Sequence, residues 1–271
     1  MHNKSIIKED TLKRIKAFRL FDDDFMNACF DDNIEGTELL LRIILNKPDL
    51  HVPRVTTQRF MKNLLGRDLR LDVDAIDDKG QIFDIEIQRS NAGADPKRAR
   101  YHSSILDAHL LKPGQDFKDL PETYVIFIAE NDAIGEGKPI YIINRTIEGV
   151  NRAFNDGEHI LYVNGEITDP ETALGRLMHD FSCTDPDNMY YEELARKAKY
   201  FKEHKEGVRY MSGVMEAYKE EITREVTREV TRENALMTAM RMLQNSELTL
   251  EQIALYSNLP LEDVIALKGS L

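Results

Sequence analysis

No apolar run in the 271-residue chain approaches the roughly 20 residues that a membrane-spanning helix requires. The first residues, MHNKSIIKEDTLKRIKAF, lack the apolar core and small-residue cleavage site of a signal peptide, so the expectation is a cytoplasmic protein away from any membrane. Cysteine is scarce. Cys29 and Cys183 stand far apart without CxxC or zinc-ligand spacing, which makes two reduced, buried thiols the expectation. Seven histidines are scattered without HExxH spacing, and His102 and His109 read as surface or core residues rather than zinc ligands. There is no GxSxG elbow, no Walker A and no GxGxxG loop, so serine-hydrolase and nucleotide-binding patterns are missing. Positive charge is short as well. Lys and Arg number 36 against 48 Asp and Glu, a net charge of −12, which argues against a general polyanion binder whose affinity comes from basic groups on phosphates. Basic residues gather in one place, DPKRARYHSSILDAHLLK, where Lys97, Arg98, Arg100, His102, His109 and Lys112 face only Asp95 and Asp107.

What is present is an ordinary hydrophobic content of 42%, enough for one sizeable domain with an appendage or for two small ones. Residues 11–30 and 35–46 read as helices, the second ended by Pro48. A short strand is expected at 51–58 and a hairpin at 69–76 and 81–88. Asp95-Pro96 supplies an N-cap and a first-position proline for a helix over 96–111. TYVIFIAE (123–130) reads as a buried strand, with further strands at 138–146 and 158–166, and from Pro170 the pattern is helical almost to the end. This order predicts a mixed α/β fold with an antiparallel hairpin inside the sheet, a core at 1–166 and a helical tail at 167–271.

The hairpin RLDVDAIDDKGQIFDIEIQRS (70–90) carries the chemistry. Leu71, Val73 and Ala75, then Phe83, Ile85 and Ile87, form an apolar face; Asp72, Asp74, Asp84, Glu86 and Gln88 form the other. A three-residue turn at Asp78-Lys79-Gly80 with Gly80 left-handed sets Asp77 against Gln81, Asp74 against Asp84, Asp72 against Glu86 and Arg70 against Gln88. Like charges opposed on a sheet repel, so the arrangement calls for a protonated acid or a cation between them. Hard divalent ions such as Mg²⁺ or Mn²⁺ take such oxygen ligands. From the residues alone, a metal site and a solvated acidic face both stay open.

Asp72, a hairpin turn and then Glu86-Ile87-Gln88 resemble the split motif of the PD-(D/E)XK nuclease superfamily. RLDVDAIDDKGQIFDIEIQ followed by RARYHSSIL resembles one branch in particular, the recombination-promoting nucleases and transposase-like proteins, over roughly residues 20–150. The resemblance implies a restriction-endonuclease-like αβββαβ core and metal-dependent cleavage of DNA. It implies that Asp72 and Glu86 bind Mg²⁺ or Mn²⁺ with the main-chain carbonyl of Ile87, and that Gln88 positions the attacking water where most of the superfamily has lysine. A further acid from the first core helix is expected at Glu38, with Glu35 one turn away. Asp74 and Asp84 share the face by parity and are expected as outer or solvent-exposed acids. Arg98, Arg100 and Tyr101 lie on the following helix, where they would hold a DNA phosphate; for each arginine alone a surface salt bridge is the alternative.

The tail contains TREVTREVTRE (223–233), a period-four repeat whose Ile222, Val226 and Val230 form a stripe drifting about 40° per step. Glu221–Arg224, Glu225–Arg228 and Glu229–Arg232 are expected i,i+3 pairs. Two readings stay open for this helix: homo-oligomerisation through the stripe, or a solvated helix end. The last segment, LTLEQIALYSNLPLEDVIALK, reads as a helical hairpin with a Thr249–Gln252 capping box and a break at Asn258–Pro260. Glu262 and Asp263 open its second helix, where a DNA-reading helix needs neutral or basic groups, so packing or protein contact is favoured. A rival function of a different class uses the same features: a catalytically degenerate nuclease fold acting as a protein-interaction module. The −12 charge, Gln88 and the repeat helix support it.

Overall fold

The N-terminal helical stretch breaks at Phe18. Instead of one helix over 11–30 there are two, α1 (Glu9–Ala17) and α2 (Asp23–Phe30). The reason is local: Asp22 accepts the Arg19 amide at 2.7 Å, and the intervening Leu20 and Phe21 turn into the core with 1% and 0% exposure. Helix α3 (Ile34–Leu45) follows, capped by Asn33 at one end and by left-handed Asn46 at the other.

The computed structural model describes residues 7–63, 66–245 and 247–269, without the side chains of Asn91, Ala92 and Glu225. Strand β1 runs Arg54–Met61, three residues later than expected, because Pro53 cannot donate to the ladder. It pairs antiparallel with β2 (Leu69–Ile76), which pairs antiparallel with β3 (Ile82–Gln88). Helix α4 (Pro96–Leu110), capped by Asp95 with Pro96 in its first turn, then carries the chain to β4 (Thr123–Ala129), parallel to β3. After β5 (Ile140–Ile143) and a small hairpin of β6 (Thr146–Ile147) and β7 (Arg152–Ala153), β8 (Glu158–Asn164) lies parallel to β4. The main sheet has the order β1-β2-β3-β4-β8-β5, with β5 an antiparallel edge. This is a mixed α/β sheet of restriction-endonuclease-like architecture, as expected.

Two helical layers cover the sheet. Ala99, Ile105 and Leu106 of α4 join Ile82, Val125, Phe127 and Tyr162 in one apolar cluster. Helix α2 contacts β1 and β2, α3 contacts β1, and the two supply the other layer. Strand β3 is therefore buried on both faces: Phe83, Ile85 and Ile87 on one, and Ile82, Asp84 and Glu86 on the α4 side. That burial of the acidic face is the main departure from the sequence expectation.

The first compact unit ends at Ser212, beyond the division expected at 166. Helices α5 (Ala173–Ser182) and α6 (Glu192–Glu203) belong to it, because each buries an apolar stripe. Phe181 packs edge-on against Phe21 at 5.4 Å, and the buried Lys202 donates to the carbonyls of Lys16, Phe18 and Thr184. The division falls within α7 (Lys205–Asn245).

The second unit, Gly213–Leu271, holds the rest of α7 with α8 (Leu250–Ser257) and α9 (Leu261–Gly269). Ala239, Ile253, Ala254 and Val264 form its core. The Thr249–Gln252 capping box is present, and Asn258 ends α8 in the left-handed conformation. Ile222, Val226 and Val230 are exposed by 41%, 52% and 49%, so no packing among the described residues covers the stripe. Arg224 pairs with Glu220 and Arg232 with Asp263 rather than with the glutamates three residues before them. The Glu225 side chain, expected to pair with Arg228, lies outside what is described.

Candidate active site

The turn at 77–81 has the expected form. Gly80 is left-handed at φ 81°, and the Asp77 carboxylate accepts the Lys79 and Gln81 amides at 3.0 and 2.7 Å. Pairing runs Ile76↔Ile82, Ala75↔Phe83, Asp74↔Asp84 and Val73↔Ile85, then stops. Where Asp72 was expected directly opposite Glu86, side chains replace the ladder. The Asp72 amide donates to Glu86 Oε1 at 3.0 Å, and the Ile87 amide donates to Asp72 Oδ2 at 3.0 Å. The expected pairing of Arg70 with Gln88 falls beyond this point and is not part of the ladder. On the other side of β2, the pairing of β1 skips Gln58, whose positive φ of 54° is a strained conformation for a residue with a side chain.

Helix α4 closes over the acids. Glu86 and Asp84 are 0% exposed and Asp74 only 2%, which rules out a solvated acidic face. Arg98 Nη2 donates to Glu86 Oε2 at 2.9 Å, while its Nε donates to His102 Nε2 at 3.3 Å. His102 Nδ1 lies 2.7 Å from Asp84 Oδ2, and its ring meets Phe127 edge-on at 5.7 Å. Burial lowers the His102 pKa against the opposing pull of Glu86. Across the sheet, Arg59 Nη1 binds Asp74 Oδ2 at 2.8 Å.

The charge balance is uneven. Four carboxylates, Asp72, Asp74, Asp84 and Glu86, meet only two guanidinium groups, Arg59 and Arg98, so with all four ionised two negative charges would stand uncompensated. Burial first, and then the Glu86 charge, push Asp72 up to about 7. Burial and Asp84 push Glu86 up to about 8. Burial raises Asp84 well above the carboxylate range, against a lowering hydrogen bond with Glu86. Asp74 and Asp84 each keep one buried oxygen, Oδ1, without a hydrogen-bond partner. Two surplus charges with orphaned oxygens suit a divalent cation. Asp84, Glu86 and His102 offer ligand atoms within 4.8 Å of one another, the group among the described residues close enough to hold an ion. Asp72, whose Oδ2 accepts the Ile87 amide, is not in that group; Glu86 is common to both sets.

The remaining expected residues divide. Gln88 stays beside the acids at the end of β3, and its amide lies where a Cβ at residue 93 would be, 2.0 Å from Oε1, so the site is built around Gly93. Arg100 is exposed on α4, as a phosphate-binding group must be. Tyr101 is otherwise engaged: its hydroxyl donates to the Arg67 carbonyl and accepts from Asn63 Nδ2 at 3.0 Å, tying α4 to the segment before β2. Glu38 also serves elsewhere. Its Oε2 accepts the Val52 amide at 3.0 Å and its Oε1 pairs with Arg42 and His51, so it fastens the α3–β1 connection rather than the hairpin acids.

An acid on a preceding helix whose charge acts on Asp72 is Asp23, at the start of α2. Its charge raises the Asp72 pKa, and Asp23 is in turn raised by partial burial against the pull of Arg89, Arg70 and Arg98. The sequence does mark it, in the run Asp22-Asp23-Asp24, but acids in a helix's first turn read as dipole partners. Beside it, Asp22 pairs with Arg89 at 2.9 Å, and Arg19 pairs with Glu130 at 2.6 Å just beyond the end of β4.

Residues 40–164, from α3 to the end of β8, match the model of a family described as PD-(D/E)XK nuclease family transposase. Neither the curated proteins nor the solved structures returned a significant match.

Proposed function

We propose that the chain, whose residues 40–164 match the model of the PD-(D/E)XK nuclease family transposases, is a metal-dependent DNA endonuclease acting in recombination or on mobile elements. The observation that carries the reading is the cluster of four carboxylates against two guanidinium groups, with Asp84 and Glu86 fully buried and Asp72 and Glu86 pushed up to about 7 and 8. A bound divalent cation would let these acids ionise together. When bound, Mg²⁺ or Mn²⁺ would supply a polarised water and a Lewis acid for the phosphodiester. Asp72 and Glu86 would hold it with the Ile87 carbonyl, and Asp23 adds a carboxylate on the open side. Gln88 accepts or donates a hydrogen bond to the attacking water without bringing charge. Lys97, Arg98 and Arg100 on the exposed edge of α4 contact the DNA backbone, which makes DNA binding local despite the net charge of −12. The uncovered Ile222/Val226/Val230 stripe is proposed as a self-association surface for the helical tail. No described helix is long and apolar enough to cross a membrane.

The test is plasmid nicking by the purified protein with Mg²⁺ and with EDTA. Relaxation or linearisation with Mg²⁺ alone supports the enzyme. Intact plasmid with Mg²⁺ and with Mn²⁺ favours the degenerate fold acting as an interaction module.

A further inference from the structure

Arginine has donors only, so the contact from Arg98 Nε to His102 Nε2 requires a lone pair on that nitrogen. The ring proton then sits on Nδ1 and is donated to Asp84 Oδ2 at 2.7 Å. This orders a chain of three side chains: Asp84 accepts from His102, and His102 accepts from Arg98. The same guanidinium reaches Glu86 Oε2 through Nη2 at 2.9 Å. Asp84, His102 and Glu86 are all 0% exposed, while the Arg98 side chain is 40% exposed. One edge of a rigid planar fork is thus seated on two buried acceptors, and Nη1 has no partner among the described residues.

We propose that His102, seated on Asp84, is a positioning residue that sets the Arg98 fork across Glu86 so that the free Nη1 edge meets the phosphate being cleaved. The proposal rests on the nuclease reading above and assigns a role to two buried groups which that reading leaves unused. It carries an unusual consequence. A fixed positive charge on Glu86 weakens the attraction of the site for a cation, yet the same charge holds the substrate phosphate. Losing the fork therefore tightens metal binding while slowing cleavage. A histidine that merely filled the core would, when removed, loosen metal binding and slow cleavage together.

The experiment measures Mg²⁺ affinity of the DNA-free protein by calorimetry and single-turnover cleavage of supercoiled plasmid. The proteins are wild type, Arg98→Ala, His102→Ala, His102→Gln and the Arg98→Ala/His102→Ala double variant, with melting curves for each. Arg98→Ala and His102→Ala are expected to bind Mg²⁺ on the order of threefold to tenfold more tightly. Both should cleave about 10- to 100-fold more slowly. In the Arg98→Ala background, His102→Ala should change neither quantity further, since its effect passes through the arginine. His102→Gln, whose amide can donate to Asp84 and accept from Arg98, should recover part of both effects, and it carries the test if His102→Ala does not fold. Weaker Mg²⁺ binding in Arg98→Ala or His102→Gln, or full additivity in the double variant, overturns the proposal. A wild-type protein that binds Mg²⁺ and cuts nothing overturns the nuclease reading instead, and the affinity series still decides whether the fork is held as described.

Discussion

Replacing Asp72 by Asn removes one of the buried charges at almost constant volume, and its effect on stability can be worked out for the metal-free protein. Burial and the neighbouring Glu86 hold the Asp72 carboxyl at about 7, against 3.8 for the free side chain. A carboxyl with a raised folded-state pKa keeps its proton longer in the native chain than in the unfolded one. Its stabilising contribution is complete below pH 3.8 and is lost as the pH rises through 7. At about 1.4 kcal/mol per pH unit, the loss between pH 5 and pH 8 is about 3 kcal/mol from this group alone. Glu86, held at about 8, follows the same course, but the two losses do not add, because each charge contributes to the other's shift. In Asp72→Asn the new side chain can still accept the Ile87 amide through its carbonyl oxygen, so the contact that fixes the splayed strands is kept. In EDTA, wild type is therefore expected to lose stability between pH 5 and pH 8, and Asp72→Asn to lose roughly 2–3 kcal/mol less over the same interval. The two proteins should be close below pH 3.8, with the variant already the more stable at pH 5 and more so at pH 8. Adding millimolar Mg²⁺ at pH 8 should restore wild type by RT ln(1 + [Mg²⁺]/Kd) and leave the variant nearly unchanged. Urea unfolding of both proteins at several pH values, with EDTA or Mg²⁺, measures all of this. Parallel pH profiles in EDTA, or an equal response to Mg²⁺, would refute the buried-charge argument.

Glu86→Gln should abolish Mg²⁺-dependent nicking while preserving the circular dichroism spectrum, since the amide keeps the shape but not the charge; cleavage near the wild-type rate would remove Glu86 from the site. Glu38→Gln should leave Mg²⁺ affinity unchanged in calorimetry and cost about 1–2 kcal/mol in urea unfolding through weakened bonds to Val52 and Arg42. A large drop in metal affinity for that variant would return Glu38 to the metal centre. Val226→Glu with Val230→Glu should lower the molar mass seen by light scattering if the exposed stripe joins copies of the chain; an unchanged mass takes the stripe out of assembly.

The hairpin was legible because its determinants are local. Period-two alternation assigns faces, and Asp77 through Gly80 assign the turn, so the pairing Asp74↔Asp84 followed by counting. Counting failed one step later, at Asp72, because carboxylates took the amides that the ladder would have used, and no alternation rule records that competition. The helix over 96–111 was equally plain from Asp95-Pro96, whereas the face it would cover was not. That choice follows from the crossover between parallel β3 and β4, a non-local constraint, and it turns an apparently solvated row of acids into a buried one. Asp23 and Glu38 make the same point from opposite sides. Both are acids on early helices, and their sequence context does not separate them. Only the packing of the helices lets the Asp23 charge act on Asp72 and leaves Glu38 holding the Val52 amide. His102 read as a surface or core residue, and it is buried. What the sequence could not hold was that its two ring nitrogens, 18 residues from Asp84 and four from Arg98, would join a buried acid to an exposed guanidinium. Chain-local chemistry determined the strands, the turn and the identity of the acids; the desolvation that shifts their protons came only from the layer the chain folds back over them.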